Sequence, residues 1–397
     1  MNTTSIPTRL PSIDILRGLV IVLMTLDHTR DFFSNSHFNP TDLDKTTLAL
    51  FLTRWVTHFC APVFVFLAGM SAYLWMSRRG PDAPISRFLL QRGVLLLVLT
   101  LTVEAWAWNF RNDFRMMDGG VLWAIAWSMI ALAGLIKLPL SWLMGIGGLM
   151  IFSHNAFDAL KVDDMGSFGP WWAILHTGED VLLGNAWGIN PYYPLIPWIG
   201  VMAVGYGFGH WFSNTYWRTR RRLLMLGGTM LLGFVLLRFS NLYGDPKPWQ
   251  AYPDPMFTVL SFLNCHKYPP SLLYLLMTLG PALMILGLVE GRSVHQLAAL
   301  QVFGRTPLLF YLLHLYVIHL LALAVAFISN GPVDALMGGG IWSKDIPADY
   351  GYTLPEVYGF WLLILLVMYP ICRGFETLYS HGFSKLITVL WERVRGK

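Results

Sequence analysis

The sequence contains few charged residues. Asp, Glu, Lys and Arg together make up 13% of its 397 residues, whereas about 25% is typical of a soluble domain. Hydrophobic residues make up 55%, and they occur in runs of about twenty, the length that crosses the apolar core of a bilayer as a helix. This combination excludes an ordinary soluble enzyme and predicts a polytopic membrane protein.

Cysteine is scarce, and the motifs of several enzyme classes are missing. Cys60, Cys265 and Cys372 fall in different parts of the predicted topology, so they indicate no disulfide framework. The sequence has no HExxH, CxxC or P-loop motif, and no GxSxG motif followed by a plausible triad. These absences argue against a zinc protease, an NTPase and a serine hydrolase, and no metal is expected.

Apolar segments predict an all-α fold, a polytopic integral membrane helix bundle of about ten transmembrane helices, with a range of nine to eleven. One transmembrane domain is expected over residues 1–397. The segment 154–194 is interpreted as an outer-face loop long enough to cover a site, and residues 373–397 as a basic amphipathic tail. The predicted spans are 13–33, 49–76, 88–109, 120–136, 139–155, 193–213, 222–240, 269–289, 306–328 and 355–372.

The distribution of charge predicts the orientation. With a cytoplasmic N terminus, the loops after the second, sixth and eighth helices and the C-terminal tail lie on one side and carry most of the arginines, whereas the opposite loops are acidic. The positive-inside rule therefore predicts both termini in the cytoplasm, and a bacterial cytoplasmic (inner) membrane is the expected location. The net charge of +5 is explained by this topology, so no nucleic-acid partner is expected.

The densest group of ionisable residues lies at the outer end of the first helix. Asp27 and Asp31 are four residues apart and share a helix face, and His28 is three residues before Asp31, close enough for a carboxylate to orient an imidazole. Charges within a spanning helix usually face a cavity or a partner, which predicts an acid–base site. The alternative is an interfacial helix end, where these side chains simply meet water.

Further histidines are weaker candidates. His58 lies within the second span before Pro62, which frees the carbonyl group of His58 and bends the helix; a hydrogen-bonded packing residue is the alternative. His37 lies in the first outer loop, where histidines are usually solvated. His314 and His319 are five residues apart in one helix and cannot both face one metal or haem.

A second group of charges is predicted at the cytoplasmic side. Asp14 and Arg17 are three residues apart near the inner end of the first helix, and Arg78, Arg79 and Arg305 lie in the inner loops. Arginine binds phosphates in bidentate fashion, so these residues are candidates for binding the phosphates of a nucleotide cofactor. The alternative is the ordinary arginine flank of a membrane helix.

Several segments carry a resemblance to a known family. Arg9–Gly18, with its S-x-D-x-x-R-G motif, and Pro62–Gly69 resemble the heparan-alpha-glucosaminide N-acetyltransferase-like family of transmembrane acyltransferases. Tyr193–Gly209, Lys267–Ser271 and Phe303–His314 add to the similarity. The resemblance implies acyl transfer from cytosolic acetyl-CoA to an acceptor on the far side of the membrane.

The resemblance also implies roles for the histidines. In that family an asparagine late in the first catalytic helix and a histidine in the following outer loop carry the chemistry. Counted from Arg17, these positions fall on His28, which replaces the asparagine, and near His37. His28 is therefore expected to be the base, assisted by His37 or His58.

The predicted function is O- or N-acyl transfer by a membrane-embedded enzyme. An acetyl or other short acyl group would move from acyl-CoA, acetyl-CoA being the expected donor, to a sugar or amino-sugar acceptor. The acidic outer loops should repel polyanions and admit neutral or protonated amino sugars. Direct transfer and an acyl-histidine intermediate both remain open. The other expected partners are the lipid bilayer and a second copy in a homodimer. The alternative function is a proton-coupled small-molecule transporter, because Asp and His side chains also relay protons.

Overall fold

The chain is built mainly of helices. The computed structural model describes residues 9–110, 115–184, 187–292, 295–337 and 344–378. The helices are α1 (Pro11–Phe33), α2 (Leu48–Thr57), α3 (Cys60–Arg79), α4 (Ile85–Leu99), α5 (Ala105–Asn109), α6 (Val121–Leu135), α7 (Leu140–Ser153), α8 (Gly169–Trp172), α9 (Leu195–Ser213), α10 (Arg220–Ser240), α11 (Pro255–Leu263), α12 (Leu272–Val289), α13 (Ala298–Arg305), α14 (Pro307–Ile328), α15 (Val333–Leu336) and α16 (Leu354–Leu378).

The predicted spans coincide with helices, but not all of them meet the length and hydropathy of a membrane span. Six helical segments of the described chain do so, and they indicate a membrane protein. The helix α1 is long enough, at 23 residues, but it carries five charged side chains. The count of about ten spans and the orientation stay predictions. The six segments are Leu48–Arg79, Ile85–Asn109, Arg220–Ser240, Leu272–Val289, Pro307–Ile328 and Leu354–Leu378.

Two predicted spans are interrupted, one next to a proline and the other by a π-helical turn. The second span divides into α2 and α3, as the position of Pro62 predicts. Pro62 has no N–H group to donate to the carbonyl oxygen of His58, and the Tyr274 hydroxyl donates to that oxygen instead, at 2.7 Å. In the third span, a π-helical turn at Thr100–Glu104 connects α4 and α5, and no pattern in the sequence predicted it.

The segment 154–194 is folded where it is described, and two of its strands join a strand that precedes α6 in the one sheet that the described residues contain. Strands β1 (Met116–Asp118), β2 (Val181–Leu183) and β3 (Trp187–Asn190) lie in the order β1-β3-β2. β1 pairs with β3 in parallel and β2 pairs with β3 antiparallel, with Met117 opposite Ile189 and Leu182 opposite Gly188. The prediction of an all-α fold therefore holds apart from this small sheet.

The first residues of the predicted tail, 373–378, continue α16, which ends at Leu378. The rest of the predicted tail, residues 379–397, lies outside the described residues. By its internal contacts the chain forms two compact units, which are described separately. Unit 1 contains Phe38–Arg292, and unit 2 contains Pro11–His37 with the described residues from 295 onward. The single domain over 1–397 stays a prediction.

Glycines allow helix backbones to approach closely within each unit. In unit 1, a Cβ atom on Gly69 would collide with the carbonyl oxygen of Met202, and one on Gly205 would collide with that of Phe66. In unit 2, a Cβ atom on Gly18 would collide with the carbonyl oxygen of Leu300. Small residues at helix crossings are typical of membrane bundles, where van der Waals packing between backbones drives association.

We expect Gly205→Ala to destabilise unit 1, because the added methyl group must displace the α3 backbone. Overpacking of this kind costs about 1–3 kcal/mol. Gly148→Ala in α7 is the matched control, since a Cβ atom there meets nothing within 4 Å and alanine favours the helix. Thermal unfolding in detergent measures both variants. An unchanged Tm for Gly205→Ala would contradict the close helix contact.

Candidate active site

The structure brings His28 of α1 together with His314 of α14, both in unit 2. The Nδ1 atom of His28 lies 2.8 Å from the Nε2 atom of His314, and the ring centroids are 5.0 Å apart. His314 is fully buried, and its Nδ1 atom lies 3.0 Å from the carbonyl oxygen of Phe310. The two imidazoles and this carbonyl group therefore form a continuous chain of hydrogen bonds.

This series of hydrogen bonds determines which ring nitrogens carry a hydrogen. A carbonyl oxygen can only accept, so Nδ1 of His314 carries the hydrogen and its neutral ring leaves Nε2 as an acceptor. The Nδ1–H group of His28 must then donate to Nε2 of His314. Because a neutral imidazole carries one ring proton, Nε2 of His28 is the nitrogen that can take up another.

The carboxylates beside His28 bind an arginine. The Arg30 guanidinium lies 2.9 Å from Asp27 Oδ1 and 2.8 Å from Asp31 Oδ1, and the arginine side chain is only 3% exposed. The role of Asp27 and Asp31 in orienting the His28 imidazole stays a prediction, and the structure adds the contact between His28 and His314. Two carboxylates and one guanidinium leave a formal charge of −1 on the same helix end.

His37 is fixed by the loop that precedes α16. Its Nε2 atom donates to the carbonyl oxygen of Tyr350 at 2.9 Å, so the ring is not simply solvated. The loop approaches closely because Gly351 has a φ of 120° and contacts Asn35 without a side chain, a conformation that favours glycine. The Tyr352 N–H group completes the junction by donating to the Phe33 carbonyl oxygen at 2.7 Å.

Of the five residues predicted to bind the phosphates of the acyl-CoA donor, three lie close together in unit 2. The Asp14 carboxylate lies 3.3 Å from Arg17 Nη1 and 3.6 Å from Arg305 Nε. Arg17 also donates to the carbonyl oxygen of Gly304 at 3.0 Å, and Arg305 pairs with Glu376 at 2.6 Å. These carboxylates offset the two arginine charges, so the group is less basic than the sequence suggested.

The remaining predicted residues lie in unit 1. Arg78 and Arg79 are exposed at the end of α3, and the Arg79 guanidinium stacks 4.1 Å from the Trp75 ring. His58, 3% exposed, follows α2, and its ring meets the Tyr274 ring edge-on at 5.6 Å.

His58 also lines a polar cavity of about 600 Å³. Its lining residues belong to unit 1 and come from α2, the end of α10, α11 and the loops near residues 39–44, 246–252 and 264–268. These loops fall on the predicted outer side. The sequence had indicated a cavity beside His58, but it did not indicate which other residues would form the wall.

Arg238 holds much of this wall together. Its buried guanidinium donates to four backbone carbonyl groups and pairs with the Asp245 carboxylate at 3.6 Å. Asp245 in turn accepts from the Ser271 hydroxyl at 2.7 Å and the His266 N–H group at 2.8 Å. The acceptors of Arg238 are the carbonyl oxygens of Lys247, Ser261, Phe262 and Asn264, at 2.8–3.1 Å.

Sequence reasoning missed His314 as a partner of His28. Nothing in the sequence selects a histidine of another helix as the partner of His314 or of His319, which is also buried and contacts the Leu336 carbonyl oxygen at 3.2 Å. One available signal was that His314 ends the Phe303–His314 segment that carries the family resemblance. The hydrogen-bond network of Arg238 was missed as well.

Comparison with known families identifies one match. A family model described as heparan-alpha-glucosaminide N-acetyltransferase, catalytic, matches residues 9–237, which is more than half of the 397 residues. His28, His37 and His58 lie inside the matched range, and His314 lies beyond it. A search of curated proteins finds no match.

We expect acid to destabilise the cavity wall through His266. Burial lowers the pKa of His266, and the Pro269 carbonyl group and the Asp245 carboxylate do not offset this effect. A depressed folded-state pKa means that the contribution to stability is complete above the unfolded pKa of about 6.5 and is lost as the pH falls toward the folded-state pKa.

The Tm of His266→Gln should therefore fall less steeply than that of the wild type as the pH is lowered from 7 to 5, a range set by that unfolded pKa of about 6.5. His295→Gln is the control, because His295 is exposed. Equal slopes for the wild type and His266→Gln would contradict the assignment.

Proposed function

The chain belongs to the heparan-alpha-glucosaminide N-acetyltransferase catalytic family, and from this premise we propose that it transfers an acetyl or other short acyl group from cytosolic acyl-CoA to a sugar or amino-sugar acceptor at the opposite membrane face. The observation that supports this proposal is the 2.8 Å contact between His28 and His314. It places the His28 imidazole against a second, fully buried imidazole that can hold it in position as a base.

In this proposal, Nε2 of His28 removes the proton from the acceptor amine or hydroxyl as that group attacks the thioester carbonyl carbon. The tetrahedral intermediate collapses, the carbon–sulfur bond breaks, and the CoA thiolate leaves. The proton on His28 then passes to the thiolate, so the base is restored and free CoA is released. Direct transfer of this kind needs no acyl-histidine.

The neighbours of His28 favour this cycle. His314 accepts the Nδ1–H hydrogen bond and so keeps the lone pair of His28 on Nε2. When His28 takes up a proton, that hydrogen bond becomes charge-assisted and stronger. The formal charge of −1 on Asp27, Arg30 and Asp31 also favours a positive imidazolium on the same helix.

We propose supporting roles for the other predicted residues. Arg17, Arg78, Arg79 and Arg305 would bind the phosphates of the donor, because guanidinium groups bind phosphate in bidentate fashion. Asp14 would orient two of them through its ion pairs with Arg17 and Arg305.

His37 and His58 would assist at the acceptor side. The membrane would be a bacterial cytoplasmic membrane, with both termini inside, and the protein would form a homodimer. These roles and this setting follow from the sequence and the family.

His28→Ala should lower kcat by about a hundredfold or more, since a general base contributes roughly 10²–10⁴. The assay measures free CoA released from acetyl-CoA by the purified protein in nanodiscs with glucosamine as acceptor. The control is His319→Gln, a buried histidine of α14 that is not part of the pair, and it should retain activity. Full activity of His28→Ala would remove His28 from the mechanism, whereas proton-driven uptake of sugar without CoA release would favour a transporter.

His314 is proposed as a positioning residue, and its test compares two variants. His314→Gln keeps an oxygen that can accept the Nδ1–H bond of His28, whereas His314→Leu leaves that donor without an acceptor. We expect His314→Leu to lower kcat with little change in KM, and His314→Gln to recover a large part of the loss. Equal kcat values for two equally stable variants would show that His314 only fills space.

A further inference from the structure

The cavity in unit 1 contains a lysine whose charge is not balanced. Lys267 is only 9% exposed, and no carboxylate among the described residues forms an ion pair with its ammonium group. Its Nζ atom lies 5.0 Å from the centroid of the Tyr268 ring. A buried ammonium group without a counter-ion is costly, so an anionic ligand would be favoured here.

Tyr268 indicates that a second cation acts at the same place. Burial alone would raise the pKa of Tyr268, yet the nearby Lys267 ammonium and Arg54 guanidinium outweigh it and lower the pKa. Tyr268 lines the cavity and is 38% exposed. This end of the cavity is therefore positive and also offers a hydroxyl group and an aromatic ring.

The other charged groups beside the cavity are of two kinds: Arg238 and Asp245 hold the loops together, and Asp42 and Asp44 form the more exposed rim of the cavity. Arg238 is neutralised by Asp245 and fully used in holding the loops, so it adds little positive potential. Asp42 and Asp44 line the same cavity. Asp42 meets Lys45 at 3.7 Å, but the lysine side chain is 63% exposed, and exposed pairs of this kind are weak.

Asp44 is exposed and forms no ion pair within the described chain. The cavity thus presents a buried cationic end and a more exposed anionic rim, and its remaining wall is mostly polar. Its volume of about 600 Å³ falls in the roughly 300–1,000 Å³ typical of small-molecule sites. The charge pattern fits a polar ligand that carries both signs of charge.

We propose that this cavity binds an amino sugar that also carries a carboxylate, with the carboxylate at Lys267 and Arg54 and the ammonium group at Asp42 and Asp44. The inference rests on the proposed function only in taking this sugar as the acceptor. The proposal refines the expectation that the acidic outer loops admit protonated amino sugars. The aspartates would bind the amine, and the buried lysine would select sugars that also carry a carboxylate.

The test measures binding to the purified protein without acyl-CoA. Four probes separate the two charges: muramic acid carries an amine and a carboxylate, glucosamine only the amine, glucuronic acid only the carboxylate, and glucose neither. We expect muramic acid to bind most tightly. Removing one charge-assisted contact should weaken binding by about tenfold to a hundredfold.

Variants identify the contacts. Lys267→Met should weaken the binding of muramic acid and glucuronic acid and leave the binding of glucosamine unchanged. Asp44→Asn should weaken the binding of muramic acid and glucosamine, which carry the amine, and leave the binding of glucuronic acid unchanged. Lys267→Arg keeps the charge and should preserve binding, which separates lost contact from lost folding. The matched control is Lys137→Met, an exposed lysine between α6 and α7 that does not line the cavity.

Three outcomes would overturn the proposal. The first is that muramic acid binds no more tightly than glucose, and the second is that Lys267→Met weakens the binding of all four sugars equally. The third is that CoA alone binds in a Lys267-dependent manner while the acidic sugars do not, which would assign the cavity to the acyl donor. The binding test requires no turnover, so it is independent of the test of the proposed function. If the protein releases no CoA but binds the sugars as predicted, the transferase proposal is refuted and the assignment of the cavity stands.

Discussion

The hydrogen bond between His28 and His314 is the interaction on which the proposed chemistry depends. A carbonyl group of α14 fixes the proton of one imidazole, that imidazole fixes the proton of the other, and Nε2 of His28 is left as the basic atom. The acids that flank His28 bind Arg30, and in the proposed mechanism their net negative charge favours a protonated His28.

The same consideration applies to the two buried cations beside the cavity of unit 1. Arg238 is buried and satisfied by four carbonyl groups and Asp245, so it stabilises the loops. Lys267 is buried without such a carboxylate, and this difference supports the proposal that its cavity binds a ligand. Burial of a charge therefore indicates function only after its partners have been considered.

The sequence predicted the helices well, because apolar runs of the right length and the proline at position 62 are local signals. It could not predict the partner of His28, which lies 286 residues away and leaves no periodic pattern. The helix spacing suggested that Asp31 would orient His28, but the adjacent Arg30 competes for that carboxylate. The cavity wall is assembled from loops far apart in the chain, so only its histidine beside the helix break was predictable. The three short strands were missed for the same reason.

The position of the proton on His28 tests the account most directly. Nitrogen NMR of histidine-labelled protein in nanodiscs distinguishes a protonated ring nitrogen from an unprotonated one, and comparison with His28→Gln assigns the signals. The account predicts that neutral His28 carries its proton on Nδ1 and has an unprotonated Nε2. A proton on Nε2, with Nδ1 bare, would contradict it.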